Sequence, residues 1–243
     1  LIKALVNKVN GTIVECNTAY PGNRNTTEAH LKNIEAHGFN KIASVDIMDS
    51  EGEIEIPCNG KHLDVDIVGN HLENYDWIIN LAHFKGHAMG GFGGVIKNQS
   101  IGIASSNGKA YIHTAGRTKS PDDMWENGFT EQNNFLESMA EAAKAVRDYM
   151  DGKVLYINVM NNLSVDCDCN ASPENPCMKD IGILASLDPV AVDQASIDMI
   201  WNSTDEGRDH FVERVERQNG RHILPYAEEI GLGTREYELV NID

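Results

Sequence analysis

The sequence lacks an apolar run of the roughly 20 residues that a membrane-spanning helix needs, so we expect no membrane association. Basic residues are scarce as well, because 20 Lys and Arg stand against 37 Asp and Glu and leave a formal net charge of −17. Such a chain repels phosphate backbones, which excludes nucleic acid as the main partner. The five cysteines are an odd number and three of them crowd together. They suggest no disulfide framework and favour a reducing, cytoplasmic compartment.

The length and the order of predicted elements indicate a single α/β domain over residues 1–243. A chain of 243 residues is long enough to bury one large core. It opens with the end of a helix, LIKALVNKVNG, and without Met, so we expect that residues are missing upstream.

Apolar strands alternate with helices along the chain. Strands are predicted over TIVEC, KIASVDI, WIINLAH, KAYIH, KVLYINVM, GILAS and EYELVNI, and apolar alternation around Asn59-Gly60 predicts a β-hairpin. Helices are predicted over EAHLKNIEAHG, residues 130–150, DPVAVDQASIDMIW, residues 206–218 and residues 222–230. This order predicts an α/β fold with a mainly parallel sheet flanked by helices, together with an Asn-Gly hairpin.

Three polar segments follow predicted strands: residues 17–25, residues 83–98 and residues 161–180. In open α/β sheets, ligands bind beyond the carboxyl ends of the strands. We therefore expect the three segments to face one crevice.

Residues 83–98, HFKGHAMGGFGGVIKN, form the segment richest in chemistry. Its glycines permit positive φ and close approach of a ligand, and successive backbone amides can form an anion-binding nest. Lys85 and Lys97 add positive charge to an acidic chain, and Arg24 in the first polar segment can pair with an anion. We predict a site for a small anionic ligand such as phosphate or carboxylate; the alternative is a flexible turn with solvated lysines. The residues predicted to bind a ligand or cofactor are Lys85, Gly90, Gly91, Gly93, Gly94, Asn98 and Arg24.

Three histidines are candidate metal ligands or proton carriers. His83 and His87 are four residues apart, which suits chelation from one helix face, although Gly86 disfavours a helix there. His113 ends the predicted strand KAYIH. Imidazole is the commonest metal ligand, but a single His is more often a surface or core residue, and the sequence leaves both interpretations open.

The segment DCDC, residues 166–169, places two thiols among two carboxylates. In an extended conformation Cys167 and Cys169 point to one side, and Asp166 and Asp168 point to the other. Paired thiolates suit Zn²⁺, Ni²⁺ or iron, with Cys177 as a possible third ligand. The alternative is a loop with buried, inert thiols, and Cys16 and Cys58 are interpreted as structural.

The segment SLDPVAVDQASID has a structural explanation. Asp188 is predicted to cap a helix that begins at Pro189. Asp193 and Asp198 are expected on its solvated face.

Three blocks of the sequence resemble the signature of a known family. They are ECNTAYPGNRNTTEAHLKNIEAHGF, HFKGHAMGGFGGVIKNQSIGIASSNGK and VDCDCNASPENPCMKDIGILASLDPVAVDQASIDMI, which look like blocks of the uncharacterised iron–sulfur-centre protein family, a domain-of-unknown-function family. Members of that family often carry a ferredoxin-like insert after the second block. Here no cysteine lies between Cys58 and Cys167, so the C-x-x-C-x-x-C spacing is absent and we expect no [4Fe–4S] cluster.

A second, more distant resemblance involves the block DWIINLAHFKGHAMGGFGGVIKNQSIG, which is similar to a block in the N-terminal domain of lactate racemase. In that enzyme a Lys tethers a nickel-pincer nucleotide. The resemblance implies that Lys97 anchors a cofactor, that His87 acts as an acid/base and that His113 ligates nickel. It also implies a shared fold.

Two function classes follow. The first is a metal- or cofactor-dependent enzyme of unknown substrate, for example of racemase type. Its catalytic residues would be His83, His87 and Lys97, and His113, Cys167 and Cys169 would bind a divalent transition metal (Ni, Zn or Fe). The second is a non-catalytic redox or metal-binding module, related to iron–sulfur proteins but lacking its own cluster. No feature of the sequence identifies a protein partner.

Overall fold

Helices and strands alternate through the computed structural model, which describes residues 2–170 and 172–242. The helices are α1 (Ile2–Val9), α2 (Thr27–His37), α3 (Val95–Ile103), α4 (Ser106–His113), α5 (Pro121–Asn127), α6 (Gln132–Tyr149), α7 (Pro189–Trp201), α8 (Arg208–Arg217) and α9 (Ile223–Glu229). The strands are β1 (Thr12–Glu15), β2 (Ser44–Ile47), β3 (Glu53–Pro57), β4 (Val65–Gly69), β5 (Ile78–His83), β6 (Lys85–His87), β7 (Gly91–Gly93), β8 (Val154–Met160) and β9 (Gly182–Ser186). Within the described residues, no helix has the length and apolarity that crossing a bilayer requires.

Local sequence signals set the ends of several helices. The Thr26 hydroxyl accepts a hydrogen bond from the Ala29 amide at the start of α2, and Gly38 ends that helix with φ of 78°. Asp188 Oδ1 accepts hydrogen bonds from the amides of Val190 (2.8 Å) and Ala191 (3.0 Å) at the start of α7. Both caps satisfy amides that have no partner inside the helix, and the cap at Asp188 is the one predicted from the sequence.

The strands form small sheets of mixed direction in an α/β fold. β1 pairs with β2 and β5 pairs with β8 in parallel, whereas β8–β9, β3–β4 and β6–β7 are antiparallel. The sheet is therefore less uniformly parallel than expected. β9 returns antiparallel because the described residues between β8 and β9 form an irregular loop, whereas a parallel return needs a long crossover connection.

The predicted Asn-Gly hairpin joins β3 to β4, with Asn59 at φ of 53°. Its connection is longer than a two-residue turn, because the chain opens around the carboxylate of Glu141. That carboxylate accepts hydrogen bonds from the consecutive amides of Lys61 (2.8 Å), His62 (3.1 Å) and Leu63 (2.9 Å). A Cβ on Gly60 would lie 2.2 Å from Glu141 Oε2, so a side chain at this position would displace the carboxylate.

Two predicted strands are wrong. Residues 109–113, KAYIH, belong to α4, which begins after Ser105 because the Ser105 hydroxyl accepts a hydrogen bond from the Gly108 amide. The residues Ala110 and Ile112 are fully buried on that helix. Residues 236–242, EYELVNI, have no strand pairing in the described part of the chain.

The core is centred on α6, which packs against α3, α4 and α9. The apolar face of α6 is buried and consists of Phe135, Met139, Ala142, Ala143 and Val146. Asn158 on β8 donates a hydrogen bond to Asp193 on α7, so polar side chains also join the layers.

Candidate metal centre

Residues 83–98, called here the glycine segment, form the hairpin β6–β7 and the start of α3. The Gly86 amide donates a 2.7 Å hydrogen bond to the Ser164 carbonyl, and a Cβ on Gly86 would lie 2.3 Å from the Val165 carbonyl oxygen. Only glycine therefore lets β6 lie directly against residues 164–165. Since β5 and β8 are parallel neighbours, the segments that follow them leave the sheet at the same edge.

This arrangement brings His87, Cys167 and Cys169 together. One potential ligand atom from each residue lies within 4.8 Å of the other two. His87 and Cys167 are buried, whereas Cys169 is exposed. The group therefore has a protein-enclosed side and a side that a further ligand can reach.

Backbone hydrogen bonds fix the ring of His87. Its Nδ1 accepts hydrogen bonds from the amides of Met89 (3.2 Å) and Gly90 (2.9 Å). A neutral imidazole has one donor and one acceptor nitrogen, so Nδ1 is the acceptor and Nε2 is the nitrogen that remains for other contacts. Burial lowers the pKa of His87, and the positive charge of Lys97 adds to this effect.

The two carboxylates of DCDC hold the thiols in position. Asp166 pairs with Arg214 of α8 at 2.8 Å, and Asp168 accepts from Lys85 Nζ at 2.7 Å. Asp and Cys alternate, so anchoring the carboxylates directs the thiols of Cys167 and Cys169 toward His87. The segment is bent, so the extended conformation considered for it is not observed, although the two thiols lie close together.

The two thiols influence each other in opposite directions. The contact with Cys169 lowers the pKa of Cys167, and so do the hydrogen bond with His87 and the charge of Lys97. The same contact, together with burial, raises the pKa of Cys169. The pair therefore favours one thiolate and one thiol, and the Cys169 amide lies 3.4 Å from Cys167 Sγ as a donor.

His83 lies at the rim and is engaged at both ring nitrogens. Its Nδ1 is 3.0 Å from Asp168 Oδ2, and its Nε2 is 2.7 Å from the Asn161 carbonyl oxygen. Both partners are acceptors, so both nitrogens donate, and the hydrogen bond to Asp168 raises the pKa of His83. In this arrangement His83 helps to position the thiol loop (residues 166–169), and neither of its ring nitrogens is free to accept a proton.

Three cationic side chains surround the group. Lys85 is paired with Asp168, and Arg24 donates to the Tyr20 hydroxyl at 2.9 Å. Lys97, on α3, forms no ion pair within residues 2–170 and 172–242. A Cβ on Gly93 would lie 3.8 Å from Lys97 Cδ and 3.9 Å from Lys85 Cε, so the two lysine side chains approach each other over this glycine.

Several backbone amides of the glycine segment donate hydrogen bonds to side chains of the protein. The Gly90 amide donates to His87, and the amides of Val95 and Ile96 at the start of α3 donate to Asp193 at 2.9 and 3.1 Å. A Cβ on Gly94 would lie 2.1 Å from Asp193 Oδ1. The expectation that Asp193 is solvated is wrong: it is fully buried, and burial raises its pKa to about 6. No pattern near Asp193 in the sequence points to α3.

Three further candidates lie outside the group of potential ligands. His113 Nδ1 donates to the Lys109 carbonyl at 2.6 Å, its ring stacks on Phe135, and burial lowers its pKa to about 4. Asn98 donates to Asn80 Oδ1 at 2.8 Å. Cys177 donates to the Leu163 carbonyl at 3.4 Å.

A cavity of about 640 Å³ lies elsewhere, lined by β1, β5 and the apolar residues of α1. Of the predicted site residues, Asn98 contributes to its lining. The cavity is therefore distinct from the His87–Cys167–Cys169 group.

A family model described as "Domain of unknown function (DUF362)" matches residues 1–198 of the 243. The matched range includes the glycine segment, the thiol segment and most of α7. No curated protein matches the sequence.

Proposed function

We propose that this chain, which belongs to the DUF362 family of unknown function, binds one divalent transition metal ion through His87, Cys167 and Cys169 and holds a small anion beside it. The convergence of these three side chains is the observation that supports the proposal. One nitrogen and two sulfur donors suit zinc, nickel or iron(II), and they disfavour magnesium or calcium, which prefer oxygen ligands.

The proposed centre has three protein ligands and leaves a fourth position. Structural zinc sites are usually closed by four protein ligands, whereas catalytic sites keep one position for water or substrate. The exposure of Cys169 supports access to that position from solvent. A metal-dependent enzyme is therefore favoured over a purely structural metal site.

Lys97 is the proposed anchor for the anion. Its ammonium has no carboxylate partner within the described residues, whereas the neighbouring Lys85 is paired with Asp168. A carboxylate or phosphate that occupies the fourth metal position would place its negative charge near Lys97. A metal ion at this position would polarise a carbonyl or activate a water molecule, as in other metal-dependent enzymes.

Metal titration of the purified chain tests the proposal. We expect one Zn²⁺, Ni²⁺ or Fe²⁺ per chain under anaerobic, reducing conditions, and a thiolate-to-metal absorption band when Co²⁺ is the probe. Cys167→Ser and His87→Gln should weaken binding by at least about 100-fold, because each removes a ligand. Cys177→Ser and His113→Gln are the matched controls, and both should bind like the unmodified protein.

Loss of binding in the control variants, or one-to-one binding that survives in Cys167→Ser, would refute the proposed ligand set. Lys97→Met should keep the metal but lose the change in the Co²⁺ spectrum that added acetate or phosphate produces. Intact-mass measurement tests whether Lys97 carries a covalent cofactor, which is the finer, racemase-like form of the proposal.

A redox dithiol is the second candidate, and it is supported by the closeness of the Cys167 and Cys169 sulfur atoms, which lie within 4.8 Å of each other, together with the lowered pKa of Cys167. Oxidation of this pair by a disulfide such as oxidised glutathione would form a Cys167–Cys169 bond and release two reduced thiols. If the protein binds no metal and reversibly loses the mass of two hydrogen atoms on oxidation, this function would be favoured over the metal centre.

A further inference from the structure

The cavity beside α1 separates two strands that each lack a partner on one edge. Among residues 2–170 and 172–242, β1 pairs with β2 alone and β5 pairs with β8 alone. Residues 11–15 and residues 77–81 all line the cavity of about 640 Å³. Successive side chains of a strand point to opposite faces, so a cavity lined by every residue of both strands lies along their edges. We call the space between β1 and β5 the strand slot.

β1 and β5 run in the same direction along the strand slot. Burial and Asp46 raise the pKa of Tyr75, which precedes β5, and a contact with Thr12, the first residue of β1, opposes this shift. At the other end Glu15, the last residue of β1, lines the cavity. Desolvation there raises the pKa of Glu15, and the positive charge of Lys85, which follows β5, opposes this shift. The two strands therefore begin at one end of the slot and finish at the other.

Two facing edges favour a polypeptide strand as the occupant of the slot. The Ile78 amide donates a 3.0 Å hydrogen bond to the Lys153 carbonyl, next to the start of β8. Successive amides of a strand point to opposite edges, so the amides of Ile79 and Leu81 point into the slot. One extended strand has donors and acceptors along both of its edges and can pair with β1 and β5 at the same time. An apolar small molecule would leave both rows of backbone groups unpaired.

The walls of the slot are apolar and leave room for side chains. α1 has an apolar stripe at helical spacing that lines the cavity, yet no residue of α1 is buried; the stripe consists of Ile2, Leu5, Val6 and Val9. Gly102 on α3 also lines the cavity, and a Cβ at this position would meet no atom within 4 Å. An uncovered apolar helix face and a glycine beside open space are both expected next to a volume that an apolar segment fills.

We infer that the strand slot holds an extended apolar strand that leads into α1, lies parallel to β1 and β5, and pairs with both. α1 is joined to β1 by a short turn, so the helix runs back along the slot. A strand in the slot, α1 and β1 then form a right-handed β–α–β unit, which is the usual connection between neighbouring parallel strands. The sheets β1–β2 and β5–β8–β9 become one sheet. This inference is independent of the proposed metal centre.

A strand supplied ahead of α1 tests the inference with the full chain. The probe is KVLYINVM, the sequence of residues 153–160, because β8 is paired on both edges. It is joined to the amino terminus of the chain through a flexible linker of about four residues. Hydrogen exchange of the Ile79 and Leu81 amides should slow at least about 10-fold relative to the unextended chain, because pairing in the slot protects them. An extension of the same length built from Gly and Ser should leave both exchange rates unchanged.

A variant that fills the slot provides the second arm of the test. Gly102→Leu should cancel the slowing, because the leucine side chain occupies the space that the strand needs. Leucine also favours a helix more than glycine does, so α3 should be retained. Ala36→Leu is the matched control, since Ala36 is exposed on α2 and lies outside the cavity lining, and this variant should respond to the probe like the unmodified chain.

Three outcomes would contradict the inference. Unchanged exchange of the Ile79 and Leu81 amides in the extended chain would overturn it, and so would slowing that persists in Gly102→Leu. Equal slowing by an equimolar amount of the free peptide KVLYINVM would overturn the attachment to α1 and assign the slot to a strand of a separate partner.

Discussion

The amide of Gly90 donates a 2.9 Å hydrogen bond to Nδ1 of His87, and this contact decides which ring nitrogen is available at the proposed metal centre. Metal-bound imidazoles usually donate their second nitrogen to an acceptor. Here the second nitrogen accepts instead, so a metal ion at Nε2 would bind His87 as an imidazolate, and the Nε2 proton of the neutral ring would be released to solvent.

Metal affinity should therefore increase with pH. The raised pKa of Cys169 keeps a proton on this thiol at neutral pH, and metal binding must release it. We expect the affinity for Zn²⁺ to rise about tenfold per pH unit for each proton released between pH 6 and pH 8. Calorimetric titrations in buffers of different ionisation enthalpy measure the number of protons, and an affinity independent of pH would contradict the prediction.

Asp168→Asn should weaken metal binding without removing a ligand. The carboxylate of Asp168 holds the thiol loop to Lys85 and His83, and residues that orient ligands typically contribute 10–100-fold in metal affinity. The same Zn²⁺ titration measures the effect. Asp122→Asn on α5 removes an equal charge and should bind Zn²⁺ like the unmodified protein; equal losses in both variants would show that the effect is a general one of charge.

Asp193→Ala should destabilise the fold. The change removes the acceptor for the amides of Val95 and Ile96 and for Asn158, all of them buried. We expect a loss of about 3 kcal/mol in the free energy of unfolding, seen as a lower urea midpoint with an unchanged slope. Asp198→Ala on the same helix should cost less than about 1 kcal/mol. Equal losses would mean that Asp193 is no more important than a surface carboxylate.

Asp66 should make the protein less stable as the pH rises from about 4 to about 7. The carboxyl is fully buried on β4, neither oxygen has a standard hydrogen bond within the described residues, and burial raises its pKa to about 7. An acid whose pKa is higher in the folded state favours folding below its unfolded pKa, near 3.8, and this contribution is lost as the pH rises through 7. Asp66→Asn removes the ionisation, so its stability relative to the unmodified protein should increase between pH 5 and pH 8.

The upper limit of this increase is about 3 kcal/mol, because the difference changes by about 1.4 kcal/mol per pH unit only up to the folded-state pKa of about 7. Urea midpoints of both proteins at pH 5 and pH 8 provide the measurement. Asp64→Asn, an exposed neighbour, should show the same difference from the unmodified protein at both pH values. A constant difference for Asp66→Asn would show that Asp66 does not titrate in this range.

Local interactions explain which parts of the fold could be predicted. The caps at Thr26 and Asp188 bond to amides two or three residues away, so the sequence contains both partners within one short window. KAYIH was ambiguous because a five-residue apolar stretch fits a strand or a helix, and the deciding contact, from Gly108 to Ser105, lies just before it.

Long-range interactions explain which parts of the site could not be predicted. The convergence of His87 with Cys167 and Cys169 was expected because strands of an α/β sheet deliver their following loops to one edge. Asp193 pairs with two amides of α3 that precede it in the sequence by 98 and 97 positions, and no local pattern indicates this contact. The distant resemblance implies a nickel-ligand role for His113, but the helix α4 directs its ring to Phe135.

Within the described part of the chain the Lys97 ammonium has no carboxylate partner, and it lies on a molecule with a formal net charge of −17. An approaching anion is repelled at long range by the whole molecule and attracted only over the last few ångströms. Added salt shortens the range of the repulsion to about 8 Å at 0.15 M ionic strength. The rate of encounter with an anion should therefore increase with moderate salt, opposite to the usual behaviour of electrostatically steered association.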